Sequence, residues 1–316
     1  MWWVIMVSHA TTEQFSQIHI DVARNATDDF NLFHDSHGWS RIINNPFQGP
    51  IVLGFQIEAL IEHKMRHHRH ENAEENWLTQ KYLNFSNYQF SFANAIKPET
   101  SVSIEIKKTQ ITDGDNPTLS NRVSVKSNGK LALIGFKKET QTPIFLNHAL
   151  LNGVDFPGSD IDLRAYADRS FLNKDLGGFF LKRKFMNISN AKNFLCGSLI
   201  DQRIFFDELE GRHNFPEIFP CAFISCALLE KALHEKLDFE KSPMVYSSHK
   251  ISIDRFLLSQ LKSNSALHIL IRQQHPFKQA ANPLVQVYEC YGLIDNNEIL
   301  FRAIVELTPL EAILKK

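Results

Sequence analysis

The stretch Asp28-Asp29-Phe30-Asn31-Leu32-Phe33-His34, with Gly49-Pro50-Ile51-Val52-Leu53-Gly54-Phe55 downstream of it, decides how this chain is read. The first segment spaces an acid, an amide and an imidazole as Asp29-x-Asn31-x-x-His34 in a short polar run. The second is a glycine-punctuated turn entering an apolar helix. A helix start leaves backbone N–H groups without intrahelical partners and carries the positive end of the helix dipole, so it can polarise a carbonyl oxygen. An acid/base pair beside such a terminus is what addition of water to an α,β-unsaturated thioester requires.

Working outward, Leu53, Ile57, Leu60, Ile61 and Met65 recur at the helical period, and Lys64, Arg66 and Arg69 make the end basic. The spacing predicts a helix over 51–69. Four strand-like runs follow, at 88–92, 102–106, 122–125 and 131–134, separated by turn signals such as Lys97-Pro98 and Ser127-Asn128-Gly129. The pattern then returns, with an apolar helix over 219–236 and strand-like runs at 250–253, 267–271, 285–288 and 300–305. Ile104 and Ile269 take like positions (269 minus 104, an offset of 165), and a two-unit repeat of that size means duplicated domains rather than a solenoid. Residues 141–160 carry prolines and glycines without a period and suit a linker.

Upstream, Thr11-Thr12-Glu13-Gln14 reads as a helix start. Ile18, Ile20 and Val22 alternate as in a strand, although a helix is the competing reading. The run Met1-Trp2-Trp3-Val4-Ile5-Met6-Val7 is too short to span a bilayer and lacks a leader's flanks, so an edge strand or small docking patch is expected there. No other run is long and apolar enough to cross, which predicts a soluble protein with no membrane association. Across 316 residues, 43% apolar and 22% charged content supports a packed core. Lys+Arg of 34 against Asp+Glu of 35 leaves no basic excess for nucleic acid. The four cysteines show no metal-ligand spacing, and Cys221 and Cys226 sit in an apolar run as expected buried thiols. A reducing, cytoplasmic setting follows.

The motif, the glycine turn, the helix and the strand order together resemble the MaoC-like, (R)-specific enoyl-CoA hydratase (hydratase 2) family of hotdog-fold proteins. The resemblance implies an α+β double hotdog, each half a long central helix wrapped by an antiparallel sheet, with an N-terminal domain over 1–145 and a C-terminal domain over 146–316. It also favours helix around Ile18–Val22. It implies a hydro-lyase acting on an acyl thioester, a 3-hydroxyacyl-thioester dehydratase or enoyl-CoA hydratase of fatty-acid or related acyl metabolism. The substrate is carried as a coenzyme A or acyl-carrier-protein thioester, with no metal or other cofactor, and the protein is a monomer or a homodimer of double hotdogs. Asp29 and His34 would hold one water between them, activate it for attack at the β-carbon and deliver a proton to the α-carbon. Asp28, if close in space, would raise the pKa of its neighbour.

Asn31 either organises the turn or bonds to substrate or water. Gly54 is the expected oxyanion donor, since a glycine lets the carbonyl approach the backbone N–H, and it equally suits close helix–sheet packing. Val52 and Leu53, beside it, are expected to contact substrate. The chain departs from the family's usual pattern at Leu32, where proline is common, at Leu53, where histidine is common, and at Ala59, where a hydroxyl residue is common. The last loss removes a hydrogen bond expected to reach Asp29. In the cluster Glu62-His63-Lys64-Met65-Arg66-His67-His68-Arg69-His70, His63 and His67 lie one turn apart, but no metal signature is complete. A solvated basic helix end is expected, which could also meet coenzyme A phosphates or an acidic carrier.

Two rival functions remain. A hotdog thioesterase would use a helix carboxylate such as Glu58 or Glu62, and a non-catalytic hotdog would grip an acyl chain without turnover. In the C-terminal half the motif falls against Asn190-Ala191-Lys192-Asn193-Phe194-Leu195-Cys196, at an offset of 162 (191 minus 29). Ala191 and Cys196 stand at the acid and imidazole positions there. No second site is expected, with Cys196 a protonated thiol in apolar surroundings.

Overall fold

The computed structural model describes residues 12–147, 162–172, 177–274, 284–294 and 298–314. The N-terminal run Met1–Val7 and most of the expected linker lie outside these residues. In the N-terminal half the order is β1 (Thr12–Gln14), α1 (Gln17–Thr27), α2 (Gly54–Glu71), α3 (Glu75–Gln80), β2 (Phe85–Phe92), β3 (Ser101–Ile106), β4 (Gln110–Thr112), β5 (Thr118–Ser127) and β6 (Lys130–Thr140). The C-terminal half runs β7 (Ser170–Phe171), β8 (Phe180–Phe185), α4 (Ile188–Gly197), β9 (Phe206–Asp207), β10 (Arg212–His213) and α5 (Ile218–His234). It continues with β11 (Met244–Asp254), α6 (Arg255–Gln260), β12 (Ala266–Gln273), β13 (Gln286–Leu293), β14 (Ile299–Pro309) and α7 (Leu310–Leu314).

The long sheet runs β1-β3-β5-β6-β2-β11-β14-β13-β12-β8-β7, with β2, β6, β5 and β3 mirrored by β11, β14, β13 and β12 across the β2–β11 junction. There the strands pair antiparallel, with Phe90 against His249 and Tyr88 against Ile251. Asn87 stitches the junction: its amide donates to Lys138 O and Thr140 Oγ1, while its carbonyl accepts from Ser252 Oγ at 2.6 Å. Sheet edges meet here without a seam. Both central helices share one continuous core with the sheet, where Leu60, Ile61 and Met65 of α2 share a cluster with Phe219, Phe223 and Ile224 of α5, all essentially unexposed. A double hotdog results, as the sequence pattern predicts. Truncating Leu60 to alanine in such packing costs about 2–5 kcal/mol.

One local reading changes, and one left open is decided. Thr12–Gln14 is not a helix start but an extended edge, paired with Ser101–Ser103 of β3, and the helix begins only after Ser16. The edge of β3 offers unpaired backbone groups that an extended segment satisfies, and Phe15 is buried as the chain turns. Ile18, Ile20 and Val22, which alternate as in a strand but which the resemblance placed in a helix, are helical. Helix α1 buries Ile20, Ala23, Ala26 and Thr27, while Ile18 is 64% exposed. Its buried face crosses α4 so closely that a Cβ on Gly197 would stand 2.7 Å from His19 O and 2.9 Å from Ala23 Cβ. Only glycine permits that crossing.

Candidate functional site

Helix α1 ends on Asp28, whose left-handed backbone (φ 52°) turns the chain back while the Asp28 and Asp29 N–H groups both reach Arg24 O. Aspartate tolerates this conformation better than most residues. The turn separates the two acids. Asp28 is exposed and ion-paired with Lys184 of the C-terminal half. Asp29 is 3% exposed and points inward, its Oδ1 accepting from Asn31 N at 3.1 Å. Asn31 in turn caps the one-turn helix Leu32–His34, its Oδ1 accepting from Phe33 N at 3.1 Å. Of the two readings of Asn31, the turn-organising one is therefore present, and its side chain also lines the adjoining cavity.

That one-turn helix delivers His34, which is 5% exposed. Its Nδ1 lies 2.8 Å from Ile51 O, an acceptor, which requires the proton on Nδ1. Nε2 then carries the lone pair of the neutral ring and stands 3.9 Å from Asp29 Oδ2. Burial lowers the His34 pKa, opposed by the Asp29 charge and the Ile51 carbonyl and helped by Arg24. Arg24 holds the carbonyl of Asp29 through Nε at 3.2 Å and the carboxylate of Asp35 at 3.0 Å, fixing both ends of the segment.

His34 opens onto a cavity of about 230 Å³ between the halves. Asn31, His34, Val52 and Gly54 line it, together with Phe92 and Ile96 from the N-terminal half and Ser225, Leu228, Leu229, Met244 and Tyr246 from the other. Asp29 and Leu53 are not among the lining residues. Asp29 sits behind His34, and Leu53 is turned into the core at 3% exposure, its N–H donating to Gln56 Oε1 at 3.3 Å. Gly54 opens α2 at the wall, where a Cβ would meet the Phe92 ring at 3.3 Å and the Tyr246 ring at 3.5 Å. The expected close approach at this glycine is real for the protein's own side chains. Ala59, one of the departures noted in the sequence, is fully buried.

The rest of α2 departs from a solvated basic end. Glu62 is 3% exposed, and its carboxylate accepts from Glu217 N at 2.9 Å and Ile218 N at 3.1 Å, capping α5. Arg69 is equally buried, bonded to Glu139 at 2.8 Å and Glu74 at 2.9 Å. The helix is long enough for its last turn to reach under β6, so only part of the cluster meets solvent, including His67 and His70. Among the described residues no group of three or more His, Cys, Asp or Glu is arranged to hold a metal. Nor is any described helix long and apolar enough to cross a membrane.

Glu58 is fully buried, off the cavity wall, and its Oε1 lies 2.7 Å from His249 Nδ1 on β11. Burial raises its pKa against the pull of His249. Cys221 and Cys226 are buried as expected, and burial pushes Cys226 up to about 12.

The internal alignment also needs a shift. Ala191 and Cys196 belong to α4, the counterpart of α1, so they do not match the motif, and Cys196 is exposed rather than apolar-buried. The positive-φ residue ending α4 is Leu199, matching Asp28, and the next one-turn helix is Gln202–Ile204, capped by Asp201 as Asn31 caps the first. Asp29 and His34 therefore correspond to Ile200 and Ile204. Both of these counterparts are aliphatic.

Ser225 and Tyr246 were invisible to the motif reading, because they sit far along the chain in runs that read as plain helix and strand. They are joined at 2.7 Å, oxygen to oxygen. Burial pushes the Tyr246 pKa well up, with the Asp29 charge adding to it, so the phenol keeps its proton.

No family model and no curated protein matches the sequence. Solved structures do match in fold. A MaoC-like dehydratase superposes with a TM-score of 0.57 at 7% identity, over 94% of this chain and 95% of its own. A protein described as a MaoC domain dehydratase from Chloroflexus aurantiacus gives 0.56 at 9% identity, over 95% and 93%. A conserved hypothetical protein from Mycobacterium tuberculosis with a double hotdog fold gives 0.54 at 10% identity, over 96% and 94%. This chain has the double hotdog fold that these proteins share.

Proposed function

We propose that the protein is a hydro-lyase of acyl thioesters, adding water to a 2-enoyl thioester or removing it from a 3-hydroxyacyl thioester. The observation that carries this reading is the His34 Nε2–Asp29 Oδ2 separation of 3.9 Å, with His34 on the cavity wall beside the start of α2 and Asp29 just behind it. A water molecule can accommodate hydrogen bonds of about 2.8 Å to both atoms at once across such a gap. In hydration the pair takes a proton from that water as its oxygen bonds to the β-carbon. The π electrons move toward the thioester carbonyl, and the proton returns to the α-carbon, leaving the enzyme unchanged. The unpaired N–H groups of the α2 start, Gly54 first, stabilise the developing enolate oxygen. The apolar wall from both halves suits an acyl chain.

Loss of the enoyl absorbance of crotonyl-CoA and of a longer enoyl-CoA tests this reading. Asp29→Asn and His34→Ala should each lower kcat by about two to four orders of magnitude, the range for losing a positioned acid or base. Near-native turnover in either variant overturns the assignment. The thioesterase rival is disfavoured because Glu58 and Glu62 are engaged by His249 and by the α5 terminus, off the cavity wall. Thiol release from a saturated acyl-CoA would reinstate it.

A further inference from the structure

We infer that the Ser225–Tyr246 hydroxyl pair of the C-terminal half supplies a second hydrogen-bond donor to the substrate carbonyl at the start of α2. The inference rests on the thioester reading above. It is carried by where the pair sits and by its proton count.

Both residues line the cavity, and the Tyr246 ring lies 3.5 Å from where a Gly54 Cβ would be. The pair therefore adjoins the helix terminus rather than the far end of the acyl channel. The ring is held by His249 (centroids 4.4 Å, edge-on) and by Phe55 at 6.0 Å. Two hydroxyls joined by one hydrogen bond at 2.7 Å use one of their two protons. Whichever oxygen donates, the other keeps an O–H to offer. Leu228 and Leu229 on the same wall offer it no acceptor.

The pseudosymmetry of the molecule sharpens the point. Helices α2 and α5 begin at Gly54 and Ile218, so residues along them correspond at an offset of 164 (218 minus 54). On α2, Glu62 fills the α5 terminus with a carboxylate that accepts its N–H groups. On α5 the position equivalent to Glu62 is Cys226, which is no N–H-capping carboxylate, and its neighbour Ser225 presents a hydroxyl at the cavity. A carboxylate competes with a substrate carbonyl for N–H donors, whereas a hydroxyl donates to it. One terminus is closed by an acceptor, and the other is left open beside a further donor.

The test uses the full chain and two readouts. Infrared difference spectra of bound hexanoyl-CoA, labelled with ¹³C at the carbonyl, report carbonyl polarisation without turnover. The stretch should lie below its value in water for the wild type and move back toward it in Ser225→Ala/Tyr246→Phe. Each single variant should keep most of the shift, because the surviving hydroxyl can still donate. With crotonyl-CoA the double variant should lose about 100-fold in kcat, as for a deleted oxyanion donor, with KM changed little. A merely structural role would leave the carbonyl stretch unmoved. If the double variant does not fold, Ser225→Cys/Tyr246→Phe keeps the volume but leaves only a weak thiol donor, and should show the same losses. Wild-type stretch and kcat in a folded double variant overturn the inference alone. Failure of the wild type to bind hexanoyl-CoA removes the thioester reading and the inference with it.

Discussion

At the scale of single residues, His34 is set up by its backbone partner as much as by Asp29. The Ile51 carbonyl fixes the proton on Nδ1, and burial keeps the ring neutral at neutral pH. The sign of the pH dependence follows. A histidine whose folded pKa is depressed remains a base to lower pH than the free ring's ~6.5. The ring titration of His34, followed by NMR, should have its midpoint below that value. In Asp29→Asn it should fall further, because the charge that opposes burial is gone. A wild-type midpoint at or above 6.5 would show that the aspartate outweighs burial.

At the scale of elements, the start of α5 is closed by a carboxylate from α2. Its N–H groups are engaged by Glu62, whose pKa is pushed up to about 7 by burial and by Glu217, against Lys137 and the two N–H bonds. An acid with a raised folded pKa binds more protons folded than unfolded. Its favourable contribution is complete below the unfolded value of 4.5 and is lost as pH rises through about 7. The melting temperature of Glu62→Gln minus that of the wild type should therefore rise between about pH 4.5 and pH 7. The span is up to about 3 kcal/mol, since each pKa unit is worth about 1.4 kcal/mol. A flat or falling difference would place the titration elsewhere.

At the scale of the whole molecule, the halves share a sheet and a core. Cutting between them would bare the β2 edge over Phe85–Ser91 and the α2 face that α5 covers. Residues 1–145 expressed alone should be aggregated or poorly soluble, and co-expression with 146–316 should restore a soluble complex. A well-behaved monomeric N-terminal half would contradict this. Because the counterparts of Asp29 and His34 in the second half are aliphatic, calorimetric titration with hexanoyl-CoA should give one site per chain. Two equivalent sites would refute it.

The sequence alone determined the architecture because its signals are periodic and local. The helical spacing from Leu53 to Met65, the alternating runs and their recurrence at a near-constant offset suffice to draw two wrapped helices. The same locality made Asp29, Asn31, His34, Val52 and Gly54 legible, since they lie on one short segment and the helix start it packs against. What the sequence misjudged was environment. Thr12–Gln14 became a strand because β3 had an edge to satisfy, and Glu62 and Arg69 left the solvent because α2 runs beneath the sheet. The internal match to Asn190–Cys196 slipped because identity is too faint to align what caps and φ angles align unambiguously. Only the tertiary structure decided that Asp28 turns outward to Lys184, that the Tyr246 ring packs against Gly54 and that Ser225 joins them on the cavity wall. Those contacts join residues some 150 or more positions apart, and no local pattern encodes which faces meet when two sheets fuse along β2 and β11.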